Sequence, residues 1–311
     1  MSRRIVAFRL SPVVLALAVM MPATGAFGSP AAPVAPPPTP PTTAAATTTT
    51  TVTTTTGPAT TTGIDHGQVQ ILELPSGDAD GASREVWVYR PAVPDSASLP
   101  VVYFLHGYPG NDRDVEKIGL PALLDEQFAA GATPFVVAVP NGRSAIHPDT
   151  EWADSVDGDV RLESFVVDTV VPAVEGDNRR DRDHRAIAGF SMGGYGSMNL
   201  ALRHPDLFGQ VVSIAGYYHI DDPDGMGAGT ARWAEANSPD RHVAAAVGTR
   251  MLLIADAGEK DGLIKGEAAR FAGLVEAAGL QATLVTAPGG HNWAMVAGQV
   301  PAIVEFLDAG W

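Results

Sequence analysis

Beyond residue 63 the chain alternates between short apolar runs and longer stretches whose apolar positions recur at helical spacing. QVQILEL (68–74) and REVWVYR (84–90) alternate apolar and polar residues, the period of a strand buried on one face, and predict two outer strands. PVVYFLH, PFVVAVP, HRAIAGF, QVVSIAG, RMLLIAD and QATLVTA are almost uninterrupted in apolar character. That pattern predicts strands covered on both faces, as in a parallel sheet. Helical segments separate them. In RLESFVVDTVVPAVE, residues Leu162, Phe165, Val166, Thr169, Val170 and Val174 recur at steps of three and four and share one side. PALLDEQFAAG, EAARFAGLVEAAG and, despite Pro301, WAMVAGQVPAIVEFL read the same way. Two outer strands followed by a run of strand-helix units predict one α/β domain over residues 64–311, with a mostly parallel central sheet and helices on both faces.

The first 63 residues follow neither period. Arg3, Arg4 and Arg9 precede the apolar run PVVLALAVMM, and small residues follow near Thr24 and Ala26. This is the layout of a secretory signal peptide, expected over residues 1–28. The run is too short to span a bilayer, for which about 20 apolar residues are needed. From 29 to 63 the chain is almost wholly Pro, Ala and Thr. With so few large apolar side chains to repay ordering, a disordered linker is expected there. Such a linker would hold an exported domain away from a cell wall or simply trail from it.

Composition adds three constraints. An apolar content of 45% over 311 residues supplies a sizeable core. The formal charge of −15 disfavours nucleic acid and anionic membrane surfaces as partners. The absence of cysteine means that an exported fold stands without disulfides and carries no lipid on a thiol.

Parallel sheets of this kind bind ligands at the carboxyl ends of their strands, so chemistry is expected just after them. There the chain places IAGFSMGGYGS, with Ser191 between Gly189 and Gly193 at a strand-to-helix turn. In a chain with 33 glycines a chance match to G-x-S-x-G in some loop is credible. The placement, however, is that of a nucleophile elbow, in which small neighbours let strand and helix backbones meet and the serine is forced into view. No G-x-G-x-x-G at a strand end and no G-K-[ST] supports a phosphate or dinucleotide site, and no cofactor or metal is expected. A serine nucleophile needs a base, and the base an acid, in the chain order Ser, Asp or Glu, His. Among eight histidines, His291 alone lies late enough, after a strand and a glycine turn. The acid is expected in IADAGEKDGLI, where Asp256, Glu259 and Asp261 all qualify by order. Backbone N–H groups of Met192, at the helix start, and Tyr108, in the loop HGYPGNDRD, are the expected oxyanion donors. His106, with no second ligand at metal spacing, is expected to be structural. His66, His184 and His204 carry ordinary surface or helix-end readings.

Together DRDHRAIAGFSMGGYGS, HGYPGNDRD, AGEKDGLI and PGGHNW resemble the putative-esterase family of α/β-hydrolases. That family includes bacterial feruloyl esterases, esterase D-like enzymes and antigen 85 mycolyltransferases. The resemblance runs in order over most of residues 66–309. It implies the α/β-hydrolase fold and a triad of Ser191, Asp261 and His291, because members similar to the feruloyl esterases carry their acid in a G-x-x-D stretch, here Gly258 to Asp261. The G-G-H-x-W match covers Gly290, His291 and Trp293. The second glycine after the elbow serine is similar to the hydrolases and departs from the mycolyltransferases. The expected function is a secreted serine esterase acting on small-molecule or carbohydrate esters. The alternatives are an acyltransferase using a sugar hydroxyl and a non-catalytic protein associated with the cell wall. Ferulate specificity is not implied, since the loop NGRSAIHPDTEWADSVDGDV has no family signature; Trp152 and His147 in it are candidates to line an acyl or sugar site.

Overall fold

The computed structural model describes residues 66–94, 97–222, 224–258 and 264–311. The expected signal peptide and linker therefore lie outside the described residues, as do Glu259 and Asp261.

Among the described residues eight strands form one sheet: β1 (Gln68–Pro75), β2 (Ser83–Arg90), β3 (Val101–Leu105), β4 (Val136–Pro140), β5 (Arg185–Phe190), β6 (Gln210–Ile214), β7 (Arg250–Asp256) and β8 (Thr283–Ala287). Their order is β1-β2-β4-β3-β5-β6-β7-β8. β2 is antiparallel to both its neighbours, and every pairing from β4 to β8 is parallel. From β3 the chain first builds outward to β4 on one side and then returns to β5 on the other. This reversal opens a crevice at the carboxyl ends of β3 and β5, where a ligand is expected to bind.

Helices α1 (Leu120–Ala129), α2 (Leu162–Ser164), α3 (Val171–Glu175), α4 (Met192–Arg203), α5 (Ala231–Ala236), α6 (Glu267–Ala277) and α7 (Trp293–Asp308) complete the layers. α1 and α7 pack together over one face, where Val102 and Phe104 of β3 meet Leu124, Val300 and Val304. The helix ending at Glu175 covers the other face, where Tyr103 of β3 donates to Glu175 at 3.0 Å and Arg185 of β5 grips the same carboxylate with two hydrogen bonds. α4 and α6 share that face through Ser213, which donates to Gly194 O and accepts from Tyr218, whose ring stacks on Phe271. β3, β4, β5 and β6 are buried throughout, as continuous apolar runs require.

Three details differ from the pattern. β2 is not half-buried: Val86, Trp87, Val88 and Tyr89 are all buried, because the strand lies inside the sheet between β1 and β4. Trp87 and Tyr89 reach polarity only at their tips, through Glu116 and Asp125. β8 is the opposite case, an edge strand in which Thr283, Leu284 and Thr286 stay exposed despite their apolar setting in the sequence. The segment expected as one helix over 161–175 contains a π-helical turn at Phe165–Val170. Pro172 has no N–H to give Asp168 O, and a wider turn relieves the clash of its ring with that carbonyl. The same turn rotates the apolar stripe, so Val171 is buried beside Val170 and Val174. No helix among the described residues is long and apolar enough to cross a membrane.

Candidate active site

Ser191 caps α4 with φ 60° and ψ −122°, a conformation that a side chain disfavours and that surroundings must impose. The surroundings are backbone. The Ser191 N–H donates to Ile214 O at the end of β6, and its carbonyl accepts from Tyr195 N. A Cβ on Gly189 would run into the carbonyl of Gly193, and one on Gly193 into that of Leu105, with the His106 carbonyl 2.8 Å away. Strand β5, helix α4 and the end of β3 thus meet without room for a methyl group. The glycines flanking the serine are sterically required, and the 60° φ exposes its hydroxyl at the rim of the crevice.

His291 arrives from the far edge of the sheet, 100 residues later. Its Nε2 lies 2.8 Å from Ser191 Oγ. The ring leans on Phe190, with centroids 4.7 Å apart, and Phe190 packs on Trp293 of α7. Asn292 fixes the start of that helix by accepting from Met295 N. The sequence GGHNW therefore supplies a turn, an imidazole, a helix cap and the aromatic that braces the ring. A neutral imidazole accepting at Nε2 carries its proton on Nδ1.

Met192 is the first residue of α4, so its N–H is among those a helix start leaves without an intrahelical acceptor. Gly107 comes close enough that a Cβ there would sit 3.0 Å from Ser191 Cβ. Tyr108, next in the chain and half exposed, lines a cavity of about 390 Å3 together with Ser191, His291, Phe190 and Trp293. Tyr108 and Met192 also share a smaller cavity of about 150 Å3 with Gly142, Arg143 and Ser144. Larger depressions of about 600 and 890 Å3 lie away from Ser191.

Of the three candidate acids, Asp256 ends β7, is buried, and accepts the Gly258 N–H at Oδ1 as a turn-forming aspartate. Gly258, from which the stretch 259–263 continues, stands beside the turn that carries His291: a Cβ on it would be 3.0 Å from Gly289 O.

His106 is structural, as expected. It accepts from Gly142 N at Nε2, 2.9 Å, and its Nδ1 donates to Gly107 O, 3.0 Å. Burial pulls its pKa down to about 4, so the ring is neutral. Trp152 does not line the site. It is fully buried against Gly142 and Gly196, edge-on to His106, and its Nε1 donates to His106 O at 3.0 Å. The large ring fills the space beneath the loop and holds the end of β3 against α4. His147 is turned away, with Nδ1 2.9 Å from Asp224 O. His66, His184 and His204 sit on Asp125, Asp181 and Glu163. Among the described residues no group of three metal-ligating side chains occurs.

Sequence reasoning missed Glu151. Both it and Trp152 have left-handed backbone, φ 49° and 51°, and its carboxylate is buried, accepting from the hydroxyl of Tyr217. Tyr217 stacks on Tyr195 at 4.9 Å, one turn along α4 from Ser191. Burial first, and then the negative charge of Asp149, push the Glu151 pKa up to about 8. The folded protein therefore keeps a proton that the unfolded chain releases near its ordinary value of 4.5. Its contribution to stability is complete below pH 4.5 and fades as the pH rises towards 8, with a slope of up to about 1.4 kcal/mol per pH unit. Glu151→Gln is expected to flatten this part of the profile. Thermal melts between pH 5 and 8.5 would show the wild type losing stability and the variant losing less; equal slopes would contradict the assignment.

The family model described as "Putative esterase" matches residues 78–307. The esterase NocK of Nocardia uniformis subsp. tsuyamanensis, itself described as putative, is 36% identical over 161 residues, covering 47% of this chain and 44% of NocK. The chain thus spans less than half the length of that relative. A ferulic acid esterase structure superimposes with a TM-score of 0.68 at 24% identity, covering 79% of this chain and all but 1% of the other. An S-formylglutathione hydrolase from Agrobacterium tumefaciens does so with a TM-score of 0.63 at 19% identity, covering 80% and 97%. The sheet order, the elbow and these likenesses give the α/β-hydrolase fold, and with a family match over most of its length the chain belongs to the putative-esterase family.

Proposed function

We propose that the protein is a serine esterase that hydrolyses carboxylic esters through an acyl-serine, with Ser191 as nucleophile, His291 as base and Asp261 as the acid that orients it. The observation that carries this reading is the 2.8 Å contact between His291 Nε2 and a serine hydroxyl held at positive φ. In the first half-reaction Ser191 Oγ bonds to the ester carbonyl carbon while its proton passes to His291 Nε2. The N–H groups of Met192 and Tyr108 receive the oxyanion, and the positive end of α4 favours it. Collapse expels the alcohol, which takes the proton back from His291. Water then repeats the sequence on the acyl-serine and releases the acid.

Asp261 is supported by its place after Gly258, which borders the His291 turn, and by the engagement of Asp256 with Gly258 N–H. Asp261→Asn is expected to lower kcat by about 10³- to 10⁴-fold, because a carboxamide no longer stabilises the imidazolium or holds its tautomer. Glu259→Gln and Asp256→Asn serve as the comparison. A larger loss in either of them would transfer the role.

Exposure of His291 to solvent favours water over a sugar hydroxyl as acyl acceptor. Export of the domain, with release to the medium or retention near a cell wall, is part of the proposal. It is supported by the arginine-flanked apolar run at the start of the chain and the Pro/Thr-rich stretch after it. N-terminal sequencing of the protein recovered from culture medium tests this: a start near residue 29 is expected, and retention of the intact chain inside the cell would contradict it.

A further inference from the structure

The smaller cavity beside the elbow, about 150 Å3, is walled largely by glycine, proline and polar groups, and Arg143 stands on its wall. Its volume is about half that of the smallest sites enclosing drug-sized ligands. It touches Tyr108 and Met192, so whatever enters it lies next to the ester carbonyl. The backbone of Arg143 is firmly held: its N–H donates to Asn141 Oδ1, and its carbonyl accepts from Arg84, which is itself buried and paired with Asp78. The exposed guanidinium is different. In a chain of net charge −15, arginines 84, 113, 185, 203 and 270 all meet carboxylates. Arg143 has no ion-pair partner among the described residues. Lys117, the cation on the wall of the larger cavity, is neutralised by Asp114 at 2.8 Å. One side of Ser191 therefore offers a compensated charge beside aromatic rings, and the other a small polar recess walled in part by an arginine whose guanidinium has no ion-pair partner among the described residues.

We propose that Arg143 receives a carboxylate of the substrate in this recess, so that the enzyme selects short esters carrying an anionic group a few bonds from the reacting carbonyl. The guanidinium presents paired donors that match a carboxylate, and the recess admits a fragment of a few heavy atoms. The inference rests on the esterase reading of Ser191. The carboxylate has two sources, the acyl part or the alcohol part of the ester, and the test separates them.

The experiment compares kcat/KM by pH-stat for two pairs: monoethyl succinate against ethyl butyrate, with the charge on the acyl side, and 4-acetoxybutanoate against butyl acetate, with the charge on the alcohol side. For one pair the ratio of anionic to neutral ester is expected to fall about tenfold in Arg143→Gln, the size of a lost hydrogen bond to a charged group. It should be largely kept in Arg143→Lys, and should shrink in 0.5 M salt for the wild type. Arg232→Gln, an exposed arginine on the 600 Å3 depression, should leave both ratios unchanged. A merely structural role for Arg143 would depress both members of a pair together and leave the ratio intact. Ratios equal to wild type in Arg143→Gln for both pairs would overturn the proposal while leaving the esterase reading standing. Failure of the wild type to hydrolyse any of the four esters would overturn both.

Discussion

Ser191→Ala is expected to reduce turnover of a short-chain ester by on the order of 10⁴-fold or more, while the unfolding temperature stays within a few degrees of wild type. The first half follows from chemistry: without the hydroxyl no acyl-enzyme forms, and what remains is background from carbonyl binding and the oxyanion donors. The second follows from the local structure. The hydroxyl lies at the rim of a cavity and its hydrogen bond to His291 is exposed to solvent. An exposed bond of that kind contributes little to stability. Alanine keeps the Cβ, so the strain at φ 60° is unchanged and nothing new collides. Steady-state hydrolysis of 4-nitrophenyl acetate and a thermal melt on the same preparations read both quantities. Retained turnover would remove Ser191 from the chemistry. Lost folding would make it a structural residue.

Gly193→Ala is expected to act through packing, and severely. The new methyl would be driven into the carbonyls of Leu105 and His106, which are backbone atoms that no rotamer change can move. Either α4 shifts off the end of β3 or the strand end yields. Overpacking of this sort costs typically 1–3 kcal/mol and more against a rigid wall. Activity should fall further than stability, because such a shift separates the Met192 N–H from Tyr108. Gly298→Ala is the contrast. Gly298 is exposed in the middle of α7, and a Cβ there meets nothing within 4 Å. Replacing it should stabilise by about 0.5–1 kcal/mol, a rise of about 2 °C in Tm for a domain of this size. Melts of the two variants beside wild type would show opposite signs; a benign Gly193→Ala would contradict the steric account of the elbow.

Strands β3 to β6 are legible in the sequence because burial on both faces leaves no polar interruptions, and the candidates Ser191 and His291 because each follows an apolar run at a strand end. What escapes the pattern depends on neighbours in space. The alternation in REVWVYR reflects the polar tips of side chains buried between β1 and β4, and the apolar run QATLVTA belongs to an edge. Trp152 reads as a pocket residue because it lies in a loop, yet Gly142 and Gly196 leave a slot that encloses its ring. Glu151 and Arg143 have no signature at all. One is defined by the tyrosine that covers it, the other by having no ion-pair partner among the described residues. The choice among Asp256, Glu259 and Asp261 turns on a few residues of loop, where order along the chain carries no distance.

The central claim is that the hydroxyl of Ser191 is the nucleophile and His291 activates it. Incubation with a fluorophosphonate followed by peptide mass spectrometry tests this directly. A single adduct on the peptide containing Ser191 is expected, formed rapidly in the wild type and at least about 10³-fold more slowly in His291→Ala. An enzyme that hydrolyses esters yet carries its adduct on another residue, or is labelled equally fast without the imidazole, would contradict the account.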